Sequence, residues 1–579
     1  MCGVLGCFSK SGSEISKKYF EEINSGLDML HHRGPDNKSI ISSSNNSLLL
    51  GHRRLAIIDL TPDSNQPFTK NKNKYLSFNG EIYNYKEIAS QFFSKERLRT
   101  NSDTEILYEI LLKDPELIRY LEGMYAGCFY DGESIHLFRD PLGIKPIYYY
   151  EDNELVFFSS SLKVIKELNI ASSLSISEVA KCSFILNGHL DQGMTPYNEV
   201  HEVKPGSIMS FSPNGKKYSR IIEESYLIFD TTKDNSLSFT EIIDNTVKKH
   251  LVSDVPIALM YSAGLDSNLL AKSVSRFSDV NAFSLGFESF KDSPNDEIPL
   301  ASNIANEEGY KLSYRYLSNN EVLDNTDQYL ENLDTLSIDG FNTWMVSKFI
   351  SEKGFKVAIS GAGGDEIFIG YANFVYLKWM KKFIDLIPKF PRYLISKLVP
   401  KNDLRNRKIS SAINANSLKD LYFIKRSLFD LKLLSNYFDE ENIDIIYSKF
   451  LKHKTDSIQL LSKENNINVS NLEYHFYCRN QLVKDADWAS MSHSLELRIP
   501  LVDKVFFKQA VAFRNQNSLR NKFKYYSLYN PTLNSNLFDR SKTGFSVPLL
   551  NLIGGSNDYV TNYRALLDEV FFKVTGEKI

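Results

Sequence analysis

Up to about residue 210 the apolar positions fall in short runs or in alternation, at 48–50, 55–58, 75–78, 134–138 and 155–158, each closed by turn-forming residues. That pattern predicts a β-rich unit. Helical spacing breaks it twice: over 15–30, and over 103–112, where Ile106, Leu107, Ile110 and Leu111 recur behind a capping Ser102 or Asp103. The two together imply α+β layers. Between 211 and 238 the pattern fades: Pro213 and Gly215 interrupt 212–217 and the stretch 230–238 is polar. This segment reads as a linker between a 1–210 unit and a 239–579 unit.

Beyond it the period alternates. Strand spacing at 255–261, 280–287, 312–317 and 355–359 is interleaved with helical spacing at 267–277, 297–308 and 342–352. This predicts an α/β fold with a doubly wound parallel sheet, whose ligands sit beyond the carboxyl ends of the strands. From about 372 onward the chain reads as helical and rich in Phe, Tyr, Leu and Lys. Residues 378–408 carry ten basic residues against Asp385 and Asp403. They read as a solvated helical face, with peripheral contact to an anionic membrane or binding of an anionic substrate as the alternative.

Composition narrows the function classes. The 579 residues are 42% hydrophobic and 24% charged, which excludes a disordered or fibrous chain. The 68 basic and 71 acidic residues leave a net charge of −3 and no chain-wide attraction to nucleic acid, so small-molecule partners are expected. Cys2, Cys7, Cys128, Cys182 and Cys478 are too scattered for a disulfide framework or a zinc site. A reducing cytoplasm is the expected location. No run approaches the roughly 18 apolar residues of a membrane span. The opening Met-Cys-Gly-Val-Leu-Gly-Cys-Phe turns polar too soon for a signal peptide, so the chain is read as starting at its own N-terminus.

That reading gives position 2 a chemistry. Initiator methionine is normally removed before a small residue, which leaves Cys2 with both a thiol and a free α-amine. An α-amine of pKa about 7.7–8 can take the thiol proton directly or through one water. The segments His31-His32-Arg33-Gly34-Pro35-Asp36, Gly51–Asp59, Asn79-Gly80-Glu81-Ile82-Tyr83-Asn84 and Ser102-Asp103 supply what an amino-acid substrate needs. These are a guanidinium for its carboxylate, carboxylates for its ammonium and donors for an oxyanion. The region resembles the class II glutamine amidotransferase domain, an N-terminal-nucleophile hydrolase that cleaves glutamine to glutamate and ammonia. The resemblance implies Cys2 as nucleophile and Arg54 as the clamp on the glutamine carboxylate. It implies Glu81 and Asp103 on the substrate amine, and an oxyanion hole from the Asn79 side chain and the Gly80 N–H. Arg33-Gly34-Pro35-Asp36 also matches a family motif and reads as turn architecture.

A second constellation follows two predicted strands. After 255–261 comes Ser262-Ala263-Gly264-Leu265-Asp266-Ser267, and after 355–359 comes Ser360-Gly361-Ala362-Gly363-Gly364-Asp365-Glu366. Small residues at a helix N-terminus let backbone N–H groups reach phosphate, and a carboxylate there makes sense if it holds Mg²⁺ against a pyrophosphate. Both loops resemble those of the asparagine synthetase family, which activates a carboxylate as its acyl-AMP. The resemblance implies ATP and Mg²⁺ as cofactors, with Asp266 and Asp365 on the metal or pyrophosphate. It also implies nucleotide contacts from Met260, Ser262, Gly264, Ser267, Leu285, Ser360 and Gly361. The segment 482–503 looks like the family's late signature, within which His493, Glu496 and Arg498 read as a bracing polar network. Arg540-Ser541-Lys542-Thr543-Gly544-Phe545 suggests Lys542 on pyrophosphate. The implied partners are glutamine, ATP and a carboxylate acceptor, and a homodimer is the expected assembly.

The match departs in two places. Where the family usually carries a glutamate, this chain has Ala362, so Glu366 or another group must substitute or the acceptor differs. Ser337-Ile338-Asp339-Gly340-Phe341-Asn342-Thr343 also replaces the usual Ile-Arg-Ala-Ser segment. This combination resembles a branch that amidates uronic acids of bacterial surface polysaccharide, which leaves aspartate or a uronic acid as the expected acceptor. A catalytically inactive sensor of glutamine or nucleotide is the alternative from another class. Ala263 at a usual loop glycine is tolerable if its φ is negative.

Overall fold

The computed structural model describes residues 2–71, 73–93, 98–168, 174–223, 237–456, 458, 465–517, 522–530 and 559–579. Its first part holds β1 (Cys2–Ser9), β2 (Asn37–Ser42), β3 (Leu48–Arg54), β4 (Tyr75–Ile82), β5 (Gly123–Tyr130) and β6 (Ile135–Arg139). These continue into β7 (Tyr148–Glu151), β8 (Leu155–Ser159), β9 (Val200–Glu202), β10 (Ser207–Phe211) and β11 (Lys217–Ile221). They form two antiparallel sheets, ordered β2-β3-β1-β8-β7-β9 and β11-β10-β6-β5-β4.

β1 is buried at every residue because both of its faces are covered. Alternate side chains point to opposite sides of a strand. Val4 and Phe8 therefore join the core between the sheets with Leu50, Leu137 and Phe158. Leu5 and Cys7 instead pack beneath helix α1 (Lys17–Met29) against Ile23 and Leu27. Helix α2 (Asp103–Lys113), capped by Ser102 accepting the Thr104 N–H at 3.1 Å, lays Ile106, Leu107 and Ile110 on Phe78 and Phe129 of the other sheet. The layers run helix, sheet, sheet, helix.

The second part is built on β12 (Ile257–Met260), β13 (Asn281–Phe287), β14 (Lys311–Leu317), β15 (Val357–Ile359) and β16 (Glu496–Arg498). They form one sheet ordered β14-β13-β12-β15-β16, parallel throughout. Helix α3 (Leu265–Val274) leaves the end of β12, and α4 (Phe341–Glu352) leads into β15. Helices α5 (Ala372–Leu386), α6 (Lys389–Leu398), α7 (Leu404–Ile413) and α8 (Leu418–Arg426) follow. A π-helical stretch, Tyr474–Leu482, runs into α9 (Val483–Met491), and α10 (Lys522–Tyr529) comes later. The two parts share a packed seam: Tyr83, Met124, Leu142 and Ile144 belong to the same core as Phe239, Ile243 and Leu285.

The linker reading needs a correction at its start. Residues 211–221 fold onto the first part, where Phe211 pairs with Lys217 and Ser207 with Ile221 across a turn at Pro213–Gly215. Strand β11 is exposed along its whole length and nearly all polar, so it carries no apolar alternation to announce it. Residues 224–236 lie outside the described set.

Candidate active sites

Cys2 is buried at the start of β1, opposite Arg54 in the β1–β3 register. Its backbone N–H donates to Asn79 Oδ1 at 2.9 Å. That leaves the Asn79 amide nitrogen, buried and without a hydrogen-bond partner, free to donate elsewhere. Gly80 follows with φ +146°, and a Cβ there would stand 2.0 Å from the Met124 carbonyl oxygen, so only glycine fits beside β5. Burial pushes the Cys2 thiol up, opposed by the backbone N–H of Leu55 and the charge of Arg54.

The charges around Cys2 suit an amino acid. The Arg54 guanidinium is held by carbonyl oxygens and donates to no carboxylate among the described residues. It donates to Thr61 O and Asn65 Oδ1, both at 2.8 Å, and to Ile58 O at 3.3 Å. Its charge is thus positioned and left unneutralised. Across the site, Asp103 accepts the Ile82 N–H at 3.0 Å, and burial pushes its carboxyl up to about 6. Burial also drives Glu81 well above the carboxylate range, with Glu496 and Asp103 adding to the effect, and its Oε2 has no partner. Two buried acids at a disadvantage when ionised are a receptor for a cation.

Arg33 corrects an expectation. It is more than a turn residue: fully buried, its Nε donates to the Cys2 carbonyl at 3.3 Å and its Nη2 to Asp487 Oδ2 at 2.8 Å. Lys145 reaches the other oxygen of Asp487 at 3.1 Å. Against the cost of burial, these two cations hold the Asp487 carboxyl below its ordinary range. The strand bearing Cys2 is thereby tied to α9 of the second part. Glu496 and Arg498 form a fully buried pair at 2.5 Å, and Arg498 also donates to the carbonyls of His250 and Val252 at 2.7 Å each. This is the bracing network expected of them, whereas His493 packs edge-on against Trp344, 4.4 Å between ring centres.

In the second part, a cavity of about 560 Å³ opens at the carboxyl ends of β12, β13 and β15. Met260, Ser262, Asp266, Ser267, Leu285, Ser360 and Gly361 all line it. Gly264 does not: it sits exposed at the N-cap of α3. Lys542 lies outside the described residues. Asp266 and Asp365, one from each glycine-rich turn, converge on the ammonium of Lys522, and Tyr526 donates to Asp266. Gly364 makes this possible, since a Cβ there would lie 2.0 Å from Asp266 Oδ1. Lys522 and Tyr526, one turn apart on α10, were invisible in the sequence, where nothing but helical spacing links them. Two carboxylates gathered on one cation fit a Mg²⁺ that completes its shell with phosphate oxygens and water. Among the described residues no cluster of three or more ligating side chains exists that would cage a metal alone.

Ala263 adopts φ +54°, not the negative value expected, so the loop takes the left-handed turn of a glycine with an alanine in place. Glu366 is also misplaced as a substitute for the missing glutamate: it is buried away from the cavity and accepts the Tyr371 hydroxyl at 2.8 Å. Asp339 and Asp485 line the cavity instead, alongside Ala362. Asp485 accepts from Ser337 Oγ and Trp488 Nε1, both at 2.8 Å. Burial pushes both carboxyls up. Asp339, Asn342 and Tyr477 are shared with a second cavity of about 410 Å³, walled by Phe341, Tyr422, Phe476 and Tyr563 with Arg426, Lys454 and Gln481.

A two-sheet sandwich carrying Cys2 on its first strand, joined to a parallel sheet whose cavity is lined by carboxylates and glycine-rich turns, is the two-part build of a glutamine-dependent amidotransferase. Comparison with known proteins agrees: residues 1–225 match the glutamine amidotransferase domain and residues 238–569 the asparagine synthase model. The chain belongs to the family of glutamine-hydrolysing asparagine synthetases, which are carbon–nitrogen ligases. Asparagine synthetase [glutamine-hydrolyzing] 1 of Bacillus subtilis is 27% identical over 97% of this chain and 89% of its own. A putative asparagine synthetase 2 of Methanocaldococcus jannaschii is 30% identical, over 85% and 98%. Among solved structures, glutamine phosphoribosylpyrophosphate amidotransferase from B. subtilis aligns with 54% of this chain and 65% of its own at 17% identity, with a TM-score of 0.29. Among the described residues no helix is long and apolar enough to cross a membrane.

Proposed function

We propose that the protein amidates a sugar carboxylate, a uronic acid, with nitrogen from glutamine and energy from ATP. Cys2, its α-amine freed by loss of Met1, attacks the glutamine amide. Arg54 holds the substrate carboxylate, Glu81 and Asp103 its ammonium, and Asn79 Nδ2 with the Gly80 N–H take the oxyanion. The ammonia crosses the seam without meeting solvent, where it would become ammonium. In the second part the acceptor carboxylate attacks the α-phosphate of ATP, pyrophosphate leaves past Asp266, Asp365 and Lys522, and ammonia displaces AMP to give the amide. Asp266 and Asp365 would hold Mg²⁺, which would supply charge neutralisation for the departing pyrophosphate. Asp339, at the junction of the two cavities, accepts the proton that the attacking ammonia sheds and so fills the role left open by Ala362.

The observation that supports this reading is the wall the two cavities share: Asp339, Asn342 and Tyr477 line both the cavity at the strand ends and a second chamber walled by aromatic rings and amides. Aromatic faces and amide groups suit a sugar ring better than a bare amino acid. The relatives' names point to aspartate as the competing acceptor. Pyrophosphate release from ATP, measured against aspartate and a panel of uronic acids and their nucleotide-linked forms, separates the two. Release with aspartate alone refutes the sugar assignment. Cys2→Ala is expected to abolish glutamine use and leave ammonia-dependent synthesis, and loss of both refutes the division of labour.

A further inference from the structure

Helix α6 is built inside out. Its inward face is polar: Arg392 is buried and donates to the carbonyls of Ile413 at 2.9 Å and Ala415 at 2.5 Å. Ser396, one turn on and also buried, donates to the Tyr393 carbonyl at 2.7 Å and accepts from Ser410 at its own carbonyl at 3.1 Å. The face turned to water is apolar, with Phe390, Leu394 and Leu398 in an i, i+4, i+8 stripe at 71%, 50% and 83% exposure. Helix α5 buries Phe374, Leu377 and Ile384 but also exposes apolar residues, Val375, Trp379 and Leu386, at 60%, 69% and 81%. The two stripes meet at Pro388, where Leu386 and Phe390 are four residues apart. A water-facing surface of this kind marks a docking face.

The surrounding charge selects the occupant. Lys382, Lys389, Lys397, Lys401 and Arg405 are exposed around these stripes. Of the acids in the segment, Asp385 is paired with Lys381 at 2.5 Å and Asp403 caps α7 through the Asn406 N–H at 2.7 Å. Lys382 lies 5.8 Å from the Trp379 ring and Lys397 5.1 Å from the Tyr393 ring, so the cations ride beside the aromatics at the edge of the apolar surface. A second copy of the chain docking face to face would oppose lysine to lysine. An anionic bilayer accepts every part of the pattern: leucine and phenylalanine at the acyl boundary, aromatics at headgroup level, lysines on phosphate.

We propose that the α5–α6 face docks the enzyme onto an anionic phospholipid surface. The proposal stands apart from the acceptor assignment, but its geometry bears on it. α6 packs on α7, α7 on α8, and α8 supplies Tyr422 and Arg426 to the aromatic cavity. Docking would hold that cavity close to the membrane.

Sedimentation of the full chain with phosphatidylglycerol–phosphatidylcholine vesicles, at low and high salt, tests this, with pure phosphatidylcholine vesicles as the comparison. Binding is expected to the anionic vesicles alone and to weaken as salt rises. Leu394→Ser combined with Leu398→Ser should lower the partition coefficient at least about tenfold. Lys397→Gln and Lys401→Gln should each lower it about fivefold. Glutamine hydrolysis should be unchanged in all of them, which reports an intact fold. The proposal is overturned if the parent protein stays in the supernatant, if it binds both vesicle types equally, or if the variants bind as the parent does. It is also overturned if the face instead forms a dimer that the leucine variants dissolve.

Discussion

Replacing Asp487 by alanine tests how the two parts are held in register. Its carboxylate is fully buried and neutralises Arg33 at 2.8 Å and Lys145 at 3.1 Å, both contributed by the first part. Removing it takes from two buried cations the carboxylate that both of them contact. Breaking a buried pair in this way costs about 3–5 kcal/mol, more than the pair itself contributes, because desolvation is no longer compensated. Arg33→Met should cost less, since Asp487 keeps Lys145 and the methionine fills much of the arginine's volume. Arg33 also holds the Cys2 carbonyl, so both variants should loosen the nucleophile strand and weaken glutamine-dependent synthesis more than ammonia-dependent synthesis. Urea unfolding gives the stability difference, and parallel assays with glutamine and with ammonia give the coupling. If Asp487→Ala unfolds at the parent's urea midpoint and the two nitrogen sources stay equally effective, the idea of an electrostatic tie across the seam is wrong.

Three further outcomes follow from the sites. In its proposed role Asp103, pushed up to about 6 by burial, must be ionised to hold the substrate ammonium. The KM for glutamine should therefore rise as pH falls below 6, by roughly tenfold per unit at the limit, and a KM flat down to pH 5 would remove Asp103 from that role. At Ala263, φ +54° forbids a β-branched residue. Ala263→Val should abolish pyrophosphate release while Ala263→Gly keeps it within about twofold, and equal behaviour would show that the loop does not need this turn. Asp339→Asn should depress amide formation about a hundredfold or more and leave glutamine hydrolysis intact, whereas the same loss from Glu366→Gln alone would return the missing glutamate's role to Glu366.

Much of the candidate site was legible in the sequence because it is local. A strand end, a small-residue turn and a helix start place Ser262 through Ser267 within a few residues of one another, and one cavity gathers Met260, Asp266, Leu285 and Ser360. Strand β8 and helix α2 followed from apolar runs and helical spacing, and the alternation past residue 255 gave β12 to β15 of the parallel sheet to within a few residues at each end, but not β16. The edge strand β11 escaped because an exposed strand has no apolar face to reveal it.

What only the tertiary structure decided involves partners far apart in the chain. Arg33 meets Asp487 across 454 positions, and Lys522 meets Asp266 across 256, with nothing in either segment naming the other. Asp339, rather than the Glu366 nearer in sequence, lines the cavity with Ala362, because the turn that leads into α4 passes there while Glu366 is buried against Tyr371. The basic segment read as an ordinary solvated face until packing turned Arg392 inward and Leu398 outward. Sequence sets which faces a helix has; which of them meets the core is settled by the neighbours that supply Arg392 with its carbonyl acceptors.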